Sequence, residues 1–510
     1  PGPWLRSRHL CHGGHVASSS TRSAPPTSPS RVRLLGLLAG PLAAAVLLLI
    51  PSGLHAVPGM GHRPAAAAAV AAWMALWWFT EAVPMAWTAL LPLVLFPALG
   101  VFDTGSLPAS VGRAALPYVD PYIFLFLGGM ALGAALEQWH LHRRIALLIM
   151  RAIGTAPQRL LLGMLVATAA VSLWISNTAT AVMMVPIGMA LIAQLESSEG
   201  RRLEHFGAAL MLGVAYGANV GGIGTKIGSP TNSVFAGVAS RRLATDVGFL
   251  EYMAAALPFV VLFVPRIWWV LWRTGRRDAL GPGKGVDVIQ RELSALGPLS
   301  RGEKVVGTVF LVAAVLWMGG DFLRPVLAPW VASAFGGFKL LGKHYEAGVA
   351  LLSAGTLVLL GRLSLRALAR VPWDTLLLLG GGFALAAGIE GGGLSTYMAA
   401  RLQGLESLGP TAQYGAVALT TVLLSAVASN TATVNVLLNV LPGSLPLLAV
   451  STFASSCDFA LPAGTPPNAI VFGSGYVRLP TMMKVGLPLD LMAAALLTVY
   501  GLVWVRFVLG

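Results

Sequence analysis

The pentapeptide Ser176-Asn177-Thr178-Ala179-Thr180 recurs unchanged as Ser429-Asn430-Thr431-Ala432-Thr433, 253 residues further along the chain. Gly128-Gly129 and Gly381-Gly382 keep the same offset, as do Glu137 and Glu390. A later pair, Gly228-Ser229-Pro230-Thr231-Asn232 and Gly464-Thr465-Pro466-Pro467-Asn468, matches after a shortening of 17 residues. Polar identities of this length do not arise by chance in an apolar background. They predict two homologous halves, 65–272 and 304–510, behind one extra N-terminal helix and loop at 34–64.

The background is apolar indeed. Of 510 residues, 56% are hydrophobic and 11% are charged, with a mean hydropathy of +0.75. Soluble chains carry about 25% charged residues, so an ordinary soluble enzyme and a disordered protein are both excluded. The runs Leu42–Ile50, Ala65–Phe79 and Leu160–Ile175 are continuously apolar, whereas strands of a membrane barrel alternate. The fold class predicted is an all-α polytopic membrane protein in the lipid bilayer of the cell (inner or plasma) membrane. The net charge of +14 comes from basic residues scattered between apolar segments. That pattern fits membrane loops and gives no nucleic-acid-binding stripe. Cys11 and Cys457 lie far apart in sequence, which argues against a disulfide framework or a zinc site.

Fifteen apolar segments follow the acid-free stretch 1–33, which is expected to be a disordered tail. Sorting the 34 Lys and Arg by side places 23 with the N-terminus, 8 opposite and 3 at membrane depth. The bias predicts a cytoplasmic N-terminus and a cytoplasmic linker at 273–303. Alternation of sides holds only if the segments 160–193 and 411–442 are re-entrant hairpins. Each flank of the Ser-Asn-Thr triplets is about 15 residues, or about 23 Å of helix, which reaches past the bilayer centre without crossing it. An odd number of crossings in the first half inverts the second. Inverted repeats with broken helices are a secondary-transporter architecture, with the substrate between the halves.

The residue types suit that reading. Hydroxyl and amide oxygens can coordinate Na⁺, and amide hydrogens and hydroxyls can donate to an anion. Half-helix N-termini favour anions. Asn219–Asn232 is glycine-rich with Pro230, and Pro462–Asn468 repeats the break. Each break is expected to abut its own hairpin tip and complete a cation cage. One such triplet alone would serve as interhelical glue; the duplicated constellation is a binding site.

The stretch Trp77-Trp78-Phe79-Thr80-Glu81-Ala82-Val83-Pro84, followed by Thr88-Ala89-Leu90-Leu91-Pro92, resembles the early signature of the divalent-anion:sodium symporters, in particular a bacterial-type member. That family includes sodium-coupled dicarboxylate, citrate and sulfate carriers. The resemblance continues through Phe126–Gly129, Trp139–Ala146, both triplets and Thr465-Pro466-Pro467-Asn468-Ala469-Ile470-Val471-Phe472. It implies a homodimer with a scaffold domain and a transport domain that moves like an elevator. Carried over by position, it implies a first Na⁺ site at Ser172, Ser176, Asn177 and Gly224. A second would use Ser425, Ala428, Asn430 and Gly464. The dianionic substrate would meet Asn177, Thr178, Asn430, Thr431, Thr465 and Pro466. No other cofactor is implied.

The chain departs from the family in three places. Ser229-Pro230-Thr231-Asn232 stands where the family resembles Thr-Pro-Pro-Asn, Lys226 stands where an apolar residue is common, and Asp458 precedes the second loop. Lys226 could counter the substrate's charge or stand in for a cation, as an exchanger would need, or it could pair within the protein. Glu81, Glu137 and Glu390 are expected to be structural. The function expected is Na⁺-driven uptake of a small divalent anion, a C4-dicarboxylate such as succinate, malate or fumarate. A dicarboxylate exchanger and a symporter of sulfate or another oxyanion are the alternatives on the same fold. An intramembrane enzyme is a remote alternative, because the chain has no His-Glu-x-x-His, no Walker loop and no histidine near either triplet.

Overall fold

The structure, a computed structural model, describes residues 31–280, 286–398, 401 and 408–510. The expected tail lies outside the described residues except for Arg31–Arg33, which open the first helix. Among the described residues every regular element is helical. The helices that carry the argument in the first half are α1 (Arg31–Leu49), α2 (Arg63–Thr80), α3 (Pro121–Gln138), α4 (Leu141–Ile153), α5 (Pro157–Ser172), α6 (Asn177–Glu199), α7 (Glu204–Gly221), α8 (Pro230–Arg242) and α9 (Phe249–Gly275). In the second half they are α10 (Arg301–Met318), α11 (Gly320–Ala334), α12 (Gly342–Leu359), α13 (Trp373–Gly391), α14 (Pro410–Val427), α15 (Asn430–Val440), α16 (Leu445–Ser455), α17 (Pro466–Gly473) and α18 (Leu479–Tyr500).

Proline in the first turn starts α3, α5, α8, α14 and α17. There its missing N–H costs nothing, and its fixed φ suits the helix. Among the described residues, seven helical segments are long and apolar enough to cross a bilayer. An eighth counts if α10 and α11, bent by 85°, form one broken span. The central helix of the first half, α7, is buried over its whole apolar length.

Two helices escape a hydropathy reading. The apolar segment expected at 304–320 does not end the element, since α11 turns away from it and presents Phe322 and Trp330 outward, each 76% exposed. Its Pro325 and Pro329, with Asp321 and Arg324, mask the helix in sequence. Helix α4 carries Arg143, Arg144 and Arg151 among its apolar residues, so it is amphipathic and suits an interface rather than a span. It ties down the linker: Arg144 Nε donates to Glu303 Oε1 at 2.6 Å. Glu303 also closes a capping box with Ser300 at the start of α10.

The repeated glycines mark close helix approaches. A Cβ on Gly128 of α3 would meet the Ala350 carbonyl carbon of α12 at 2.6 Å. A Cβ on Gly381 of α13 would meet the Ala89 carbonyl oxygen at 2.5 Å. Small residues let membrane helices pack backbone to backbone, where no hydrophobic force draws them together.

Candidate functional site

Both triplets sit where a helix breaks and another begins. Ser176 caps α6, accepting from Ala179 N at 3.4 Å. Ser429 caps α15, accepting from Ala432 N at 3.2 Å. Thr465 caps α17 in the same way from Asn468 N at 3.2 Å. Capping satisfies one orphan N–H and leaves the remaining first-turn donors facing the space ahead of the helix.

Behind each cap lies an oxygen-rich knot. Ser172 Oγ donates to Ala218 O at 2.7 Å and lies 2.9 Å from the Asn177 amide. Ser425 Oγ donates to Ser455 O at 2.6 Å and lies 2.9 Å from Asn430 Oδ1. One hydroxyl carries one hydrogen, so Ser425 faces more acceptors than it can serve. The end of the Asn177 amide that meets Ser172 also lies 3.1 Å from Ala218 O and 3.3 Å from Gly228 O. Turned nitrogen-inward, the amide has two hydrogens for three acceptors. Turned oxygen-inward, it joins a cluster of four oxygens, a ligand set suited to Na⁺.

The glycine-rich breaks abut these tips. A Cβ on Gly228 would meet Gly222 O at 2.6 Å and the Ser172 and Leu173 carbonyls at 3.0 Å. Asn232 Nδ2 donates to Gly222 O at 2.7 Å and Thr225 O at 2.6 Å. Asn468 Nδ2 donates at the same spacing in sequence, to Asp458 O and Leu461 O, both at 2.9 Å. The repeated sequence is thus a repeated hydrogen-bond pattern, in which an asparagine in the first turn of a helix holds the loop before it. Asn219 of α7 joins the halves, donating to Thr465 Oγ1 at 3.0 Å and Asn468 Oδ1 at 3.2 Å.

Of the residues assigned by resemblance to the cation sites, Ser172 with Asn177 and Ser425 with Asn430 come together as described. Ser176 serves as a cap. Gly224 meets the tip at the Leu173 side chain, and the carbonyls that face Asn177 are those of Ala218 and Gly228. Ala428 has extended backbone (φ −132°, ψ 166°), which takes its carbonyl out of α14. A Cβ on Gly464 would run into the Asp458 carboxylate and lie 3.3 Å from Ala426 O.

The substrate candidates Asn177, Thr178, Asn430, Thr431, Thr465 and Pro466 all line one cavity of about 640 Å³. The N-termini of α6, α8, α15 and α17 open onto it through Ser176–Ala179, Ser229-Pro230, Ser429–Thr431 and Thr465–Pro467. Four positive helix ends around one space favour an anion. Arg370 and Pro372 also line it, and both continue into an adjoining cavity of about 570 Å³ that contains Glu137 and Arg366.

Lys226 does not line the central cavity. Its buried Nζ lies 2.8 Å from both oxygens of Glu346 and also donates to Val247 O. This placement favours the pairing alternative over a role in countering substrate charge, because its own charge is already matched. Glu81 stands at the cavity wall, 58% exposed and 3.9 Å from Arg33. Glu390 lies in the field of Arg241 and Arg242. In the sequence Asn232 and Asn468 are marked by asparagine recurring beside each proline break, whereas Asn219 carries no such signal.

Apolar spans together with broken helices whose N-termini meet at one cavity define a polytopic membrane transporter. The family model described as the sodium:sulfate symporter transmembrane region matches residues 32–510, and the chain belongs to that family. A sodium-dependent dicarboxylate transporter, SdcS, of Staphylococcus saprophyticus is 33% identical over 488 residues, 92% of this chain and 91% of the relative. SdcS of Staphylococcus aureus strain USA300 is 34% identical over 497 residues, 94% and 92% of the two chains. Among solved structures, the YdaH transporter of Alcanivorax borkumensis has a similar fold. Its TM-score is 0.56 at 15% identity, and the match covers 82% of this chain and 97% of that one. As a member of a transporter family, the chain is not an enzyme.

Proposed function

We propose that the chain is a Na⁺-coupled symporter that takes up a small dicarboxylate, with a C4-dicarboxylate such as succinate, malate or fumarate as substrate. The observation that carries this reading is the single cavity shared by four helix N-termini, with an oxygen knot behind each Ser-Asn-Thr tip. The dianion is held by the N-termini and by Asn177, Thr178, Asn430, Thr431 and Thr465. One Na⁺ sits behind each tip. The relatives named sodium-dependent dicarboxylate transporters support the substrate class. Two Na⁺ neutralise a dianion so that the loaded unit crosses without net charge, and each Na⁺ beyond two adds a net charge worth about 2.3 kcal/mol per 100 mV. That is a physical reason to couple the two.

The remaining features of this reading are an inverted repeat over 65–272 and 304–510 and re-entrant hairpins around both triplets. It also includes an elevator motion of a transport domain, a homodimer and a cytoplasmic N-terminus. The test is uptake of radiolabelled succinate into proteoliposomes under an inward Na⁺ gradient. Uptake should vanish when choline replaces Na⁺, and Asn177→Ala and Asn430→Ala should each lower it at least about tenfold, the loss of one charge-assisted contact. Flux that needs internal succinate and ignores Na⁺ would make the protein an exchanger instead.

A further inference from the structure

The two oxygen knots differ in one residue. The register that pairs Gly228 with Gly464 and Asn232 with Asn468 also pairs Gly222 with Asp458. In the first half, a Cβ at Gly222 would run into the Asn177 amide. In the second half that direction is filled by a carboxylate, which lies beside Asn430 and directly behind Gly464. Asp458 is 1% exposed, and no hydrogen bond of ordinary geometry reaches its carboxylate oxygens, with the Asn430 amide beside them. The charge nearest to it is that of Asp490, of the same sign. Asp490 is itself occupied, accepting from Phe459 N at 2.7 Å.

An unpaired carboxylate in a low-dielectric interior is among the most costly groups a protein can hold, and a second carboxylate nearby adds to the cost. No lysine, arginine or histidine makes an ion pair with it among the described residues. Beside it stand the Asn430 amide, whose Oδ1 accepts from Ser425 Oγ, and Gly464, where a Cβ would run into Asp458 Oδ2 and lie 3.3 Å from Ala426 O. A cation placed there would find its counter-charge built in.

We propose that Asp458 is a direct ligand of the cation behind the second tip, so that the two sites are unequal. The first site is neutral, made of serine, asparagine and carbonyl oxygens, while the second carries a full negative charge. This rests on the Na⁺-coupled reading above. Its consequence is a division of labour. The ion at the second site is charge-compensated, binds more tightly and leaves last. The ion at the first site meets no fixed counter-charge and relies on the substrate's own charge.

The test separates the two claims by reading cation binding without substrate or transport. Binding of ²²Na⁺ to the purified full chain is measured for the wild type, Asp458→Asn and Asn177→Ala. The wild type should show two classes of site. Asp458→Asn should weaken the tighter class at least tenfold and spare the other, and Asn177→Ala should do the reverse. Equal ²²Na⁺ affinity in wild type and Asp458→Asn overturns the inference while leaving Na⁺ coupling intact. A wild type that binds no Na⁺ overturns both. A thallium-soaked crystal of the wild type needs no variant to fold. An anomalous peak bounded by Asp458, Asn430 and Ala426 is expected, and a peak confined to Ser172 and Asn177 overturns the assignment.

Discussion

Lys226 and Glu346 show what a buried charge demands of its surroundings. The ammonium is 1% exposed, its partner 4%, and the two are 120 positions apart in sequence. Removing one member leaves the other charged in an interior that cannot hydrate it, at a cost of about 3–5 kcal/mol. Lys226→Met should therefore lower thermal stability in detergent sharply. The double variant Lys226→Met/Glu346→Gln should recover most of the loss, since no orphan charge remains. If the single variant proved as stable as the parent, the pair would have to be rehydrated or unformed. The same reasoning separates Lys226 from Asp458. Both are buried charges that depart from the family pattern, but one has found its partner within the fold and the other has no opposite charge paired with it among the described residues.

At the scale of helices, the glycine pairs explain why the repeat conserves residues that touch no ligand. Gly128 brings α3 against α12, and Gly381 brings α13 against the Ala89 backbone. Gly128→Leu would drive a side chain into the Ala350 backbone. Overpacking of this kind costs about 1–3 kcal/mol or more, and here it displaces α3, which carries Phe126 and Met130 of the central cavity. The expected outcome is a lower melting temperature together with a raised KM for succinate. A variant that melts lower with unchanged KM would show that α3 packing does not position the cavity. Gly128→Ala already places a methyl where no space exists, so it should show the same effect in weaker form.

Over the whole molecule, the central cavity and its neighbour share Ser176, Arg370 and Pro372. This makes the basic segment around Arg366 and Arg370 the approach to the site. In the adjoining cavity Arg366 and Arg370 outnumber Glu137, and a net basic cleft raises the encounter rate of an anionic ligand, by about 10-fold or more at low ionic strength. Arg370→Glu should thus raise KM for a dicarboxylate about tenfold in dilute salt, with little change in the maximal rate. The difference should shrink as ionic strength rises past the point where the Debye length falls to about 8 Å. A KM that rises equally at all salt concentrations would point to direct substrate contact instead of steering.

The membrane class, the duplication and the caps could be read from the chain alone, because each is a local property. Continuous apolar runs specify the solvent. A repeated Ser-Asn-Thr specifies two helix starts, since serine caps a helix wherever it occurs with the right residues after it. The cavity candidates Asn177, Thr178, Asn430, Thr431, Thr465 and Pro466 came from the family resemblance, and the structure sets them at the starts of capped or broken helices. Helices α4 and α11 were hidden because arginines and prolines lower their hydropathy without stopping them from folding against the rest. The partner of Lys226, the clamp from Asn219 to Thr465 and the orphaned state of Asp458 could come only from the tertiary structure. Each depends on which groups 100 or more residues away share a low-dielectric space, and burial turns an ordinary charge into one that must be paired or bound.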